Sequence, residues 1–289
     1  MINTLALNVK TATVSTYQIL KSSKLTWIGT LIFVIVTLMA VFAPYLTPYD
    51  PISQDPLAVL QEPSALHWMG TDSYGRDVWT RMLYGARISL FISVVAVVAA
   101  MIIGGALGIV AGYYGGRVDM MIMRVMDIML SFPTLIMGLI VVAMLGASMT
   151  NLVIAIALTV IPKFARVARA PTLSVKKREY IEACYALGYS DIRIMVFHIL
   201  PNVFGEVLVI GSLWIATAIR IEASLSFIGL GIKPPTPTWG GIIREGFNNF
   251  LDAPWIATYA GLAVLVVVFS LNLIGDGVRD AVDPKLRGE

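Results

Sequence analysis

Nineteen consecutive residues, Leu25–Ala43, carry no charge, and Ile88–Gly112 extends the same condition over 25. A helix needs about 20 mostly apolar residues, rising about 1.5 Å each, to cross about 30 Å of hydrocarbon. Four more segments approach that requirement. Met120–Leu145 is broken only by Arg124 and Asp127, and Val203–Ile219 only by Glu206. Ala253–Gly275 is uncharged, as is Ala147–Pro162, which is short and must borrow a turn from the residues beyond it. Six transmembrane helices and an all-α integral membrane fold are therefore expected. Composition closes the alternatives. With 57% hydrophobic and 13% charged residues over 289 positions, the chain carries about half the ~25% charge of soluble domains. It is too apolar for one water-soluble core or for disorder, and a net charge of +3 is no nucleic-acid footprint.

The first run is longer than the ~7–15 apolar residues of a cleaved signal peptide, and its small-residue pattern ends against Pro44. A signal anchor is the expectation. Placing the N-terminus inside puts fifteen of the 21 basic residues on inner segments, seven of them between Lys163 and Arg193. The positive-inside rule then predicts that both termini are cytoplasmic. The resulting organisation is a cytoplasmic N-terminal segment (1–24), a first helix with an extracytoplasmic loop (25–87), a five-helix core (88–275) and a cytoplasmic tail (276–289).

Three long connections invite a functional reading, because long loops without a role are uncommon. Pro44–Arg87 is acidic, and Ile221–Asp252 is rich in Gly and Pro. The third, residues 163–202, is basic at its flanks. Within it Ser174–Leu187 is expected to form a short helix stopped by Gly188, with Ser190 or Asp191 capping a second helix before Pro201. Basic juxtamembrane segments commonly contact anionic membrane lipid. The mixed tip, with Glu179, Ile181, Glu182 and Tyr185, suits a protein groove better.

Inside the spans, Gly104, Gly108 and Gly112 share one helix face, a pattern for close helix packing. Asp127 and Glu206 are intramembrane acids, candidates for a solute pathway or for pairing near an interface. Ser131 precedes Pro133, which should bend the third span. Arg220 and Glu222, two residues apart, do not face one another on a helix and must find other partners.

The string Glu182-Ala183-Cys184-x3-Gly188-x9-His198-Ile199-Leu200-Pro201 resembles the EAA motif of ABC importer permeases, with Cys184 and His198 at positions usually filled by alanine and isoleucine. Asp72-x-x-Gly75-Arg76-Asp77, followed by Gly85-Ala86-Arg87-x-Ser89-Leu90, is similar to a signature of the dipeptide, oligopeptide and nickel group. So are Leu225-Ser226-Phe227-x-Gly229-Leu230-Gly231 with Pro234-Pro235-x-Pro237-x-Trp239-Gly240, and Asn272-Leu273-x-Gly275-Asp276-x-x-Arg279-Asp280-x-x-Asp283-Pro284.

The resemblance implies a type I ABC importer permease of the bacterial inner membrane, the C-type half of a heterodimeric pair. Its partners would be a second homologous permease, two cytoplasmic ATPase subunits holding Mg-ATP and an extracytoplasmic solute-binding protein. Glu179, Glu182, Ala183, Cys184, Leu187 and Gly188 would form the coupling helix against an ATPase. Asp72, Gly75, Arg76, Asp77 and Arg87 would organise the loop near the delivery site, and Asp127, Ser131, Glu206 and Glu222 could line a pathway. The implied cargo is a peptide or related small solute: a dipeptide, an oligopeptide, glutathione, an opine or a nickel chelate.

No cofactor, metal or catalytic set is expected in the chain itself. It has no G-x-x-x-x-G-K-[ST] phosphate loop, and two isolated histidines with one cysteine make no metal motif. The rival readings are an ion-coupled secondary transporter, which leaves the 182–201 string unexplained, and an intramembrane enzyme, which lacks catalytic residues.

Overall fold

The computed structural model describes residues 24–282. The N-terminal segment and the basic residues Lys10, Lys21, Lys285 and Arg287 lie outside that range, as does the end of the expected tail. Among the described residues the only regular elements are helices. They are α1 (Lys24–Val41), α2 (Ala43–Leu46), α3 (Val78–Tyr114), α4 (Gly116–Ser131), α5 (Thr134–Leu145), α6 (Met149–Val175), α7 (Glu179–Ala186), α8 (Asp191–Ile194), α9 (Leu200–Ile228), α10 (Trp239–Asn248) and α11 (Pro254–Val282).

Five candidate spans are single long helices: α1, α3, α6, α8–α9 and α11. The sixth is the expected Met120–Leu145 span, where the local bend expected at Pro133 is a full break. It is two helices, α4 and α5, that meet at 93°. The cause is local: Pro133 cannot continue the helix, and Phe132 before it is held extended.

Other boundaries move because helices outrun their apolar windows. α3 starts at Val78 rather than Ile88, so its 37 residues reach about 55 Å and stand well clear of a ~30 Å hydrocarbon layer. Arg81 and Arg87, expected in a loop, are helical. α6 passes through Pro162 and Pro171 to Val175, absorbing the first third of the expected inner loop. The expected Ser174–Leu187 helix is only α7, set off from α6 by a turn over residues 176–178. A π-helical turn, Met195–Ile199, joins α8 to α9 just before Pro201, widening the helix where proline removes a bond. The last loop also shrinks, since α9 runs to Ile228 and α10 occupies Trp239–Asn248.

The core forms along a close seam. A side chain on Gly104 would strike the Ile161 carbonyl and Phe164, one on Gly108 the Ala165 carbonyl, and one on Gly112 Thr172. The matching advance of both numbers shows α3 and α6 running parallel, their backbones brought together by the missing side chains. Ile92, Ala96, Ala100, Leu152, Ile156, Val160, Phe164 and Ala168 fill the rest of the interface and are buried. A second cluster joins α3 to α10 and α11 through Val78, Met82, Trp239, Ile242, Ile256 and Ala260.

Candidate functional site

Two polar constructions stand at opposite ends of the bundle. The first begins where the loop after α2 enters α3. Asp77 is the N-cap of α3: its Oδ2 accepts from the Thr80 amide and hydroxyl, both at 2.7 Å, and its Oδ1 is 2.9 Å from His67 Nδ1. Gly75, at φ +72°, turns the chain against the Asp55 carbonyl, where a side chain would collide. That turn aims Arg76 inward. Its Nε donates to Asp72 Oδ2 at 2.7 Å and its Nη2 to Glu245 Oε1 at 2.7 Å. Arg81, one turn into α3, repeats the arrangement, 3.0 Å from Asp72 and 3.0 Å from Glu245 Oε2. Asp72 Oδ1 also accepts the Tyr74 and Arg76 amides.

The result is two arginines alternating with two carboxylates, with Asp72, Arg76 and Arg81 buried. Of the expected loop set, Asp72, Gly75, Arg76 and Asp77 are brought together. Arg87 is not, lying exposed on α3. Arg81 and Glu245 were not among the expected residues. Glu245 arrives from α10, 169 residues beyond Arg76, and its only sequence signal is the Thr238 cap that starts a ten-residue helix. Trp239 anchors that helix, donating from Nε1 to the Met82 carbonyl at 3.1 Å and from its amide to Ser89 Oγ at 3.2 Å.

The second construction surrounds α7. Ile181 and Cys184 are buried, while Glu179, Glu182, Ala183 and Leu187 are exposed, so an eight-residue helix is seated by one face and presents the other. Gly188 ends it at φ +74°. Its amide bonds to the Tyr185 carbonyl at 2.9 Å, and the Tyr189 amide bonds to the Cys184 carbonyl at 3.1 Å. These two bonds form a Schellman motif, which needs a left-handed residue at Gly188.

Tyr113, at the end of α3, ties the surrounding elements together. Its hydroxyl donates to Asp191 Oδ1 at 2.7 Å, its ring stacks on Tyr185, and its carbonyl accepts from Lys176 Nζ. Capping of α8 differs from expectation, because neither Ser190 nor Asp191 caps it through a side chain. Asp191 is spent on Tyr113 instead.

The candidate pathway residues separate. Asp127 pairs with Arg166 of α6 at 2.6 Å rather than with Arg124. Ser131 Oγ bonds back to the Ile128 carbonyl at 2.7 Å, at the break before α5. Glu206 is exposed on α9. Glu222 is fully buried, with Oε1 accepting from Ser226 Oγ at 2.7 Å and Oε2 unpartnered. Arg220 points elsewhere, to Thr217 Oγ1 at 3.0 Å. Among the described residues no cluster of metal-ligating side chains occurs.

Comparison with known proteins places this geometry. Residues 104–288 match the family described as binding-protein-dependent transport system inner membrane component, and residues 14–63 match the N-terminal transmembrane domain of oligopeptide transport permease C. The dipeptide transport system permease protein DppC of Alkalihalophilus pseudofirmus is 43% identical over 271 residues, covering 94% of this chain and 89% of that one. The glutathione transport system permease protein GsiD of Pectobacterium atrosepticum is 43% identical over 250 residues, covering 86% and 83%. A probable D,D-dipeptide transport system permease protein, DdpC of Escherichia coli, is 42% identical over 270 residues, covering 93% and 91%. Among solved structures, the MetNI methionine ABC transporter in an inward-facing conformation superimposes with a TM-score of 0.57 at 16% identity, over 70% of this chain and 97% of that one. That likeness speaks to the fold.

Proposed function

The chain belongs to the family of binding-protein-dependent transport inner membrane components, and on that premise we propose that it carries peptides into the cytoplasm through a bundle driven at α7. Membership makes it a multi-pass permease subunit of an ABC importer, a non-catalytic membrane component that works with ATPase and binding-protein partners. The secondary-transporter alternative has no support in these relatives. The finer reading comes from the two ends of the bundle.

The observation that carries it is α7 itself, a helix fixed on its inner side by Ile181 and Cys184 and closed by a Schellman turn, with Glu179, Glu182, Ala183 and Leu187 left exposed. A rigid knob of this kind transmits force without bending. In this reading α7 is the coupling helix and lies on the cytoplasmic side with both termini, as the basic-residue bias requires. Two ATPase subunits supply Mg-ATP, and this chain binds no cofactor. A second, homologous permease completes the conduit, whose lining draws on the broken span at Asp127 and Ser131. The Asp72–Arg76–Arg81–Glu245 end faces outward, as a stiff platform for the solute-binding protein.

The names of the relatives support a peptide cargo, dipeptide or glutathione among them. Pull-down of the tagged chain in mild detergent should recover ATP-hydrolysing subunits and a second permease. In cells given labelled dipeptide, Glu182→Lys and Gly188→Pro should abolish uptake while membrane insertion stays normal. Normal uptake by both variants would overturn the assignment of α7.

A further inference from the structure

The broken span holds a mechanical arrangement that its apolar pattern does not announce. α4 is bounded at both ends by breaks. At its start, the cap Gly115 and the first residue Gly116 both adopt positive φ, +67° and +53°, and neither has a neighbour that a side chain would meet. After it, Phe132–Pro133 turns the chain through 93° into α5. Between these breaks the helix is continuous for 16 residues and buries only Met126. Beside Met126, only Ile122, Met123 and Met129 of this helix pack, partly buried, against the core.

Two ion pairs join it to α6. Arg169 of α6 grips Asp119 with both Nε and Nη2 at 2.5 Å, and Arg166 holds Asp127 at 2.6 Å. The first pair is the more shielded, with side chains 35% and 16% exposed against 55% and 52% for the second. Asp119 and Asp127 are about 12 Å apart along their helix, whereas Arg166 and Arg169 are about 4.5 Å apart along theirs. Two pins at different points along both helices fix an orientation that one pin would leave free to swivel. α6 itself continues unbroken to Val175 and reaches α7 after a turn over residues 176–178.

We propose that α4 is a transmission strut, clamped to α6 by Asp119–Arg169 and Asp127–Arg166, that carries displacement of α7 across the break to α5. Arg166, Arg169, Asp119 and Asp127 are positioning residues. They decide whether the broken span moves with the helix that ATP hydrolysis displaces. The inference rests on the reading of α7 as the coupling helix. Hinges of glycine and proline at both ends let the strut swing as a body, and the charged clamp makes it swing with α6.

The test uses the complete complex with its ATPase subunits, reconstituted in liposomes. Spin labels at exposed Leu139 on α5 and Val98 on α3 report their separation by pulsed electron resonance, with and without ATP trapped by vanadate. The native complex should show a shift in this separation. Asp119→Arg or Arg169→Asp should remove the shift while ATP is still hydrolysed, and the double exchange Asp119→Arg/Arg169→Asp should restore it. Arg169→Lys, which keeps the charge but loses the two-pronged grip, should reduce the shift in a complex that still assembles. A full shift in the single exchanges, or none in the native complex, would overturn the strut. A native complex that hydrolyses no ATP would instead overturn the permease reading beneath it, a different signature.

Discussion

The two polar ends of this bundle solve different problems with the same residue types. At the Asp72 end, four charges from a loop, the start of α3 and α10 neutralise one another in a nearly closed set, and almost nothing is left over for a partner. At the α7 end the ion pairs Arg166–Asp127 and Arg169–Asp119 are less enclosed, and a helix tip with Leu187 and Glu182 projects exposed. Desolvated charges hold a shape because removing one leaves its partners buried and unpaired. Less enclosed pairs leave less stranded charge behind when they part. The contrast suggests a rigid platform at one end and an adjustable linkage at the other.

That contrast can be broken most directly at Asp72. Asp72→Ala strips both Arg76 and Arg81 of a carboxylate in a buried setting, so a loss of about 3–5 kcal/mol is expected. It should appear as a large drop in the thermal midpoint of the detergent-solubilised chain, and an unchanged midpoint would mean the platform is held by its apolar cluster. Next comes the seat of α7. Ile181→Ala empties a fully buried site and should cost about 2–4 kcal/mol, with loss of uptake because the knob is no longer backed.

Tyr113→Phe removes a single hydrogen bond, the one to Asp191, and is expected to cost about 1 kcal/mol. Faster hydrogen exchange confined to residues 189–194 would check it. The smallest stability effects should be at exposed Leu187 and Arg87, within about 0.5 kcal/mol for alanine at either. The two should separate in function. Leu187→Ala should lower uptake by weakening contact with an ATPase, whereas Arg87→Ala, outside the platform, should leave it unaltered. Equal effects of the two on uptake would erase the distinction between the presenting face of α7 and ordinary surface.

Much of this protein was legible in its residues. Long uncharged runs require helices, because hydrocarbon offers no partner for an unpaired backbone group. The glycines at 104, 108 and 112 announced a close seam by their spacing. Gly188 announced a stop because few other residues accept its backbone angles cheaply. Local rules suffice where the cause is local.

The misses share one character. The apolar window ended near Ile88 while α3 began at Val78, since a cap at Asp77 and packing against α10, not hydropathy, decide where that helix starts. Pro133 promised a bend, but not one of 93° that splits the span into two helices. Asp127 chose Arg166 over the nearer Arg124, and Glu245 met Arg76 across 169 residues. The sequence by itself determined which segments are helical, which are apolar enough to span and where the chain can turn. Only the tertiary structure decided which charges meet, because an ion pair is selected by three-dimensional distance and shared desolvation, and neither is encoded in the separation of residues along the chain.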